Sequence, residues 1–158
     1  MLTLIAVGKL KESFYREACA EYEKRLRAFG GVKLLELPEK KLPEDPSPAQ
    51  IQEALRKEGE AVLEKLPKNA WLCAMAVEGK TLSSEALAEK FRTLRTGGKS
   101  ELVFLIGSSY GLSQEIKSRA DFLLSMSPMT FPHHLARVMV LEQLYRAESM
   151  LAGSRYHK

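Results

Sequence analysis

The chain has 158 residues, 45% of them hydrophobic, which suits one compact domain with a true core. Lysine and arginine number 24 against 20 aspartate and glutamate, and the net charge of +4 permits an anionic partner without demanding one. No stretch approaches the ~20 consecutive apolar residues of a membrane span, the amino end lacks a basic-then-apolar leader, and Cys19 and Cys73 lie far apart in apolar patterns as reduced core thiols, all of which points to a cytoplasmic protein.

Taken in order, "LTLIAV" at residues 2–7 is an apolar run of strand length. Residues 13–29 set Phe14, Ala18, Tyr22, Leu26 and Phe29 on one face, a helical spacing closed by Gly30-Gly31. "VKLLEL" then forms a second strand. Prolines at 38, 43, 46 and 48 exclude a central strand or a helix interior, so this stretch is expected to be a mobile loop, with Pro48 opening a helix over 49–65. "AWLCAMAV" (70–77) is a third strand, "EGK" a turn, and Ser83 or Ser84 caps a helix reaching about 96. "ELVFLIG" (101–107) is the fourth strand. Ser113 caps a short helix through about 118, "DFLLSM" (121–126) is the fifth strand, and residues 133–151 form the last helix. Alternating strands and helices, with strands apolar on both faces, predict an α/β fold: a parallel sheet covered on each side, in one domain spanning 1–158.

Chemistry-bearing residues gather late in the chain. "FLIGSSYG" puts Gly107 and Gly111 directly behind a buried strand, where parallel α/β sheets bind ligands, yet the spacing fits neither a dinucleotide fingerprint nor a phosphate-binding loop. The same residues match G-x-S-x-G, with Ser109 as nucleophile and Asp121 and His133 following in hydrolase order. Only 11 residues separate Ser109 from Asp121, and no glycine-rich oxyanion loop is present, so the serine hydrolase is the lesser reading. His133 and His134 project about 100° apart on a helix and no Cys or carboxylate cluster completes a ligand set, so no metal is expected. The last helix carries Leu135, Val138, Met139, Leu141, Leu144, Tyr145 and Leu151, a surface broad enough for a subunit interface, with Glu142 and Arg146 paired at i, i+4. Composition alone leaves the terminal Arg-Tyr-His-Lys as ordinary surface.

Longer motifs carry a family likeness. "FLIGSSYGL", "LSMSPMTFPHHLARVMVLEQLYRA" and the terminal "GSRYHK", with "LIAVGKLK" and "AMAVEGKTLSSE" upstream, closely resemble the SPOUT-class ribosomal RNA large subunit methyltransferase H family. These are small bacterial enzymes that methylate N3 of a pseudouridine in 23S rRNA. The one departure is Ser108, where a second glycine is expected. The resemblance implies a deep trefoil knot over about 100–158 and a bent S-adenosyl-L-methionine, held by Met75, Gly107 and the run Met126, Ser127, Pro128, Met129, Thr130 and Phe131. It further implies a homodimer joined through the last helix, acting on assembled ribosomes. His133 of one chain would be completed by Tyr156, His157 and Lys158 of the other. Arg146 would stabilise charge on the base, with Glu142 holding it, and Lys9, Lys11 and Lys158 would meet phosphate. A non-catalytic ribosome-binding protein is the remaining alternative.

Overall fold

In the computed structural model, which describes residues 1–153, strands and helices alternate through the chain: β1 (Leu2–Val7), α1 (Ser13–Leu26), β2 (Val32–Leu37), α2 (Pro48–Lys65), β3 (Trp71–Thr81), α3 (Ser84–Thr96), β4 (Leu102–Ile106), α4 (Gln114–Arg119), β5 (Phe122–Ser125) and α5 (His133–Leu151). The five strands form one sheet in the order β2-β1-β4-β3-β5, parallel throughout.

The period-two alternation of each strand sorts its side chains between two cores. Leu2, Leu4 and Ala6 of β1, Trp71 and Cys73 of β3, and Leu102, Phe104 and Ile106 of β4 point to one side, where Phe91 of α3, Leu26 of α1 and Leu141 and Leu144 of α5 cover them. Ile5, Val7, Leu72, Ala74, Val103 and Leu105 point to the other, under Val62 of α2 and Ile116 of α4. Both cysteines are free and buried, and loss of solvent pushes the thiols up to about 11 at Cys19 and about 12 at Cys73, so neither is a thiolate at neutral pH.

Local sequence explains most boundaries. Ser47 accepts the amide of Gln50 while Gln50 caps the Ser47 amide in return, a reciprocal box that starts α2 at Pro48, one residue before the expected start. Ser83 and Ser113 cap α3 and α4 in the simpler one-way form. The first helix converts to a 3-10 turn over Arg27–Phe29 before Gly30 leaves it in the left-handed region.

Two expectations change. The third strand does not end at Val77 with a turn at "EGK": it runs to Thr81, because beyond an irregularity between Met75 and Lys80 the chain rejoins β5 with Lys80 opposite Leu124 and Thr81 opposite Ser125. Gly79 permits that return, since a Cβ there would stand 2.6 Å from the carbonyl oxygen of Leu123. The proline-rich stretch, expected to be mobile, is tied at its start, where the Lys40 amide donates to the buried Glu58 carboxylate at 2.8 Å.

Arg137 is the least expected core residue. It is only 3% exposed, and its guanidinium donates to Glu36 Oε2 of β2 and to the Gly8 carbonyl after β1, both at 2.8 Å, joining the second turn of α5 to the ends of two strands. Its Nε–H is buried without a partner, so the pairing is incomplete. Arg137→Met is expected to lower unfolding stability by about 2 kcal/mol, the scale of charged hydrogen bonds lost against apolar packing regained. Urea titration checks this, and an unchanged midpoint would show that the tie contributes no stability.

Candidate active site

A parallel sheet brings the carboxyl ends of its strands to one edge, and there the structure opens a cleft of about 620 Å³. Its walls come from the irregular middle of β3 (Met75 to Glu78), the turn after β4 (Ile106 to Ser109, then Gly111 and Leu112), the segment after β5 (Met126, Ser127, Met129, Thr130, Phe131) and the entrance of α5 (Pro132, His133, Ala136). Apolar Met75, Ile106, Leu112, Leu124 and Phe131 alternate with serine hydroxyls, a lining suited to an aromatic group edged with polar atoms.

The turn after β4 depends on glycine. The Gly111 amide donates to the Ser108 carbonyl at 2.8 Å, and a Cβ on Gly107 would overlap the Gly111 carbonyl oxygen, so the backbone folds onto itself with no room for a side chain. Two carboxylates hold this turn from outside. Ser108 Oγ donates to Glu58 Oε2 of α2 at 2.8 Å, and Ser109 Oγ donates to Glu39 Oε1, from the loop after β2, at 2.6 Å. Sequence reasoning missed both glutamates; the buried position of Glu58 in an apolar helix face was the available signal.

At the α5 entrance, no side chain caps the helix, and the two histidine rings meet edge to face with centroids 4.0 Å apart. His134 Nδ1 stands 3.3 Å from Glu12 Oε2. His133 is half-buried in the cleft wall. Burial and then the neighbouring His134 hold its pKa below the ordinary histidine value, with Glu39 opposing them, so the ring is a neutral acceptor at pH 7.

The expected cofactor residues converge: Met75, Gly107, Met126, Ser127, Met129, Thr130 and Phe131 all line the one cleft, while Pro128 shapes the same segment without lining it. The expected catalytic residues divide. His133 lines the cleft. Glu142 and Arg146 do not, and at 1.5 Å per residue along α5 they stand roughly 14 and 20 Å from His133. Arg146 Nε donates to Glu142 Oε1 at 3.0 Å, and the pair is largely shielded, with side chains 24% and 18% exposed. Tyr156, His157 and Lys158 lie outside the described residues. Among the described residues, no His, Cys, Asp and Glu cluster is arranged to hold a metal ion, and no helix is long and apolar enough to cross a membrane.

The hydrolase reading is overturned. Ser109 bonds Glu39 rather than a histidine, and Asp121 accepts the Leu72 amide at 2.8 Å at the amino ends of the strands, the opposite edge of the sheet. A triad cannot form across the length of a strand.

An all-parallel α/β sheet with a cleft at the carboxyl ends of its strands is the arrangement in which this class of fold takes its ligands. Residues 1–157 match the family described as "Predicted SPOUT methyltransferase", and the chain belongs to that family. Incubation with a fluorophosphonate probe is accordingly expected to leave Ser109 unlabelled by intact-mass analysis; stoichiometric labelling there would reinstate the hydrolase.

Proposed function

We propose that this protein transfers a methyl group from S-adenosyl-L-methionine to N3 of a pseudouridine in 23S rRNA, acting as a homodimer on assembled ribosomes. The observation that carries the reading is the convergence of Met75, Gly107 and the Met126–Phe131 segment on one cleft that has His133 in its wall. The cleft passes the test of fit: its volume lies within the usual range for small-molecule sites, its apolar walls suit an adenine, and the exposed backbone of the glycine turn offers the hydrogen bonds a purine edge needs. Met75, Gly107 and residues 126–131 would hold the cofactor. When bound, S-adenosyl-L-methionine supplies an electrophilic methyl on a sulfonium, which leaves behind a neutral thioether.

The residues of the chain then have defined tasks. A pseudouridine N3–H is weakly acidic, so the nitrogen needs a base as the new N–CH₃ bond forms. His133, neutral at pH 7 because it is desolvated and faces His134, accepts that proton. Loss of the proton leaves negative charge on the ring carbonyls, which a guanidinium can stabilise. On a single chain Arg146 is too far along α5 to do so, and this distance supports a dimer in which Arg146 of the second copy, held by Glu142, reaches the cleft. Half-buried Leu135 and Met139, which lie on the face of α5 turned away from the core, supply apolar surface for such a contact. Exposed Lys9 and Lys11 follow β1, and exposed Lys40 and Lys41 follow β2, so four cations stand on the cleft edge of the sheet where phosphates would approach. Tyr156, His157 and Lys158 complete the site in this reading.

The test is incubation of the protein with labelled S-adenosyl-L-methionine and ribosomes lacking the modification, read by nucleoside mass spectrometry. N3-methylpseudouridine in 23S rRNA is the expected product; cofactor binding with no labelled nucleoside would overturn the substrate. Arg146→Ala is expected to lower kcat about 10²–10³-fold while cofactor affinity is retained, and equal loss of both in calorimetry and kinetics would make the residue structural. Among the described residues both hydrophobic cores are assembled upstream of residue 152, so removing residues 156–158 is expected to preserve the thermal melt and abolish transfer. A collapsed melt would assign the tail to folding.

A further inference from the structure

We infer that Glu39 is a positioning residue for His133, linking the proline-rich loop to the reacting base. This rests on the assignment of His133 as base in the reading above. Glu39 stands in the first turn of chain after β2, and its two carboxylate oxygens have different neighbours. Oε1 accepts both the hydroxyl of Ser109, at 2.6 Å, and its amide, at 3.3 Å, which fixes the side chain against the cofactor-site turn. Oε2 turns toward Gly8. A Cβ built on Gly8 would stand 3.5 Å from Glu39 Oε2 and 3.7 Å from His133 Nε2, so the carboxylate and the imidazole edge share the space that the missing side chain leaves.

The other charged groups near His133 are Glu12 and Arg137, and Glu12 Oε2 is buried without a hydrogen-bond partner among the described residues. Glu12 faces His134 Nδ1, and Arg137, one helical turn beyond His133, is bound to Glu36 and the Gly8 carbonyl. His134 packs on the ring and, like Arg137, disfavours a proton there. Glu39 is the larger of the two groups that favour it, the smaller being Glu12, behind His134. A carboxylate on the Nε2 side acts on the imidazole through its charge and stabilises the imidazolium formed when the substrate proton arrives. The same loop is held at its next residue by Glu58, which also holds Ser108, so an anion gripping Lys40 or Lys41 pulls directly on the element that positions the base.

The chain has only three histidines, so ring resonances are readily assigned by substituting His134 and His157 in turn. The experiment is an NMR titration of His133 in the full-length protein, wild type against Glu39→Gln, which keeps an acceptor for Ser109 and removes the charge. The midpoint of His133 is expected to fall in the variant, because the charge that favours the protonated ring is removed. With ribosomes as substrate, kcat should drop about 10-fold with KM little changed, the acid limb of the pH–rate profile should move down with the titration, and Glu39→Asp should recover part of the loss. Ser109→Ala, which frees the carboxylate from its anchor, should move the midpoint the same way by less. An unchanged His133 midpoint in Glu39→Gln overturns the proposal whatever the substrate proves to be. A wild-type protein that methylates no ribosome would instead count against the proposed reaction, and the titration would still decide whether Glu39 acts on His133.

Discussion

The structure turns on a guanidinium buried between a helix and a sheet. Arg137 pairs with Glu36 at the end of β2 and with the Gly8 carbonyl at the end of β1, and those bonds determine where α5 begins relative to the sheet edge. Residues four apart lie on one helical face, so anchoring Arg137 to Gly8 brings His133 over the same glycine and into the cleft wall. A buried guanidinium without those acceptors would cost several kcal/mol, so the helix has little freedom to slide. The histidine is positioned by a residue that never touches the cleft.

The opposite wall uses the same logic with the charges reversed. The turn after β4 is closed so tightly at Gly107 that no side chain fits there, and two side chains from outside it hold it in place. Glu58 and Glu39 do so through Ser108 and Ser109, one from a buried helix face and one from a loop at the rim. Ser108, the single departure from the glycine the family motif expects, is the residue through which α2 holds the turn. A hydroxyl here substitutes a directed bond for conformational freedom.

Distance along α5 sets the logic of assembly. The helix is 19 residues long, with His133 at its first position and the Glu142–Arg146 pair in its second half. Two groups so far apart on a rigid rod cannot serve one small reacting ring, so either the pair is a plain structural contact or two helices must cross. The proposed methyltransfer uses the second arrangement, with α5 of one copy beside the cleft of another.

By itself the sequence determined the elements. Period-two strands, helical stripes, serine caps and the prolines around 38–48 are local signals, and local backbone energetics obey them, so ten segments were legible, most with boundaries within a residue or two; the first helix ends three residues early and the third strand runs four residues on. The cleft segments were legible as well, because in a parallel α/β order every strand must end at the same edge. The extension of β3 to Thr81 was not, since Lys80 and Thr81 are held by β5 more than forty residues later. Nor was the burial of Arg137, which looks like an ordinary charge on a helix until Glu36 and Gly8 are brought beside it from about a hundred positions away. The roles of Glu39 and Glu58, and the failure of Ser109, Asp121 and His133 to form a triad, belong to the same class. Hydrogen bonds between distant segments leave no periodic trace in a chain, and only the tertiary structure decides which polar groups meet.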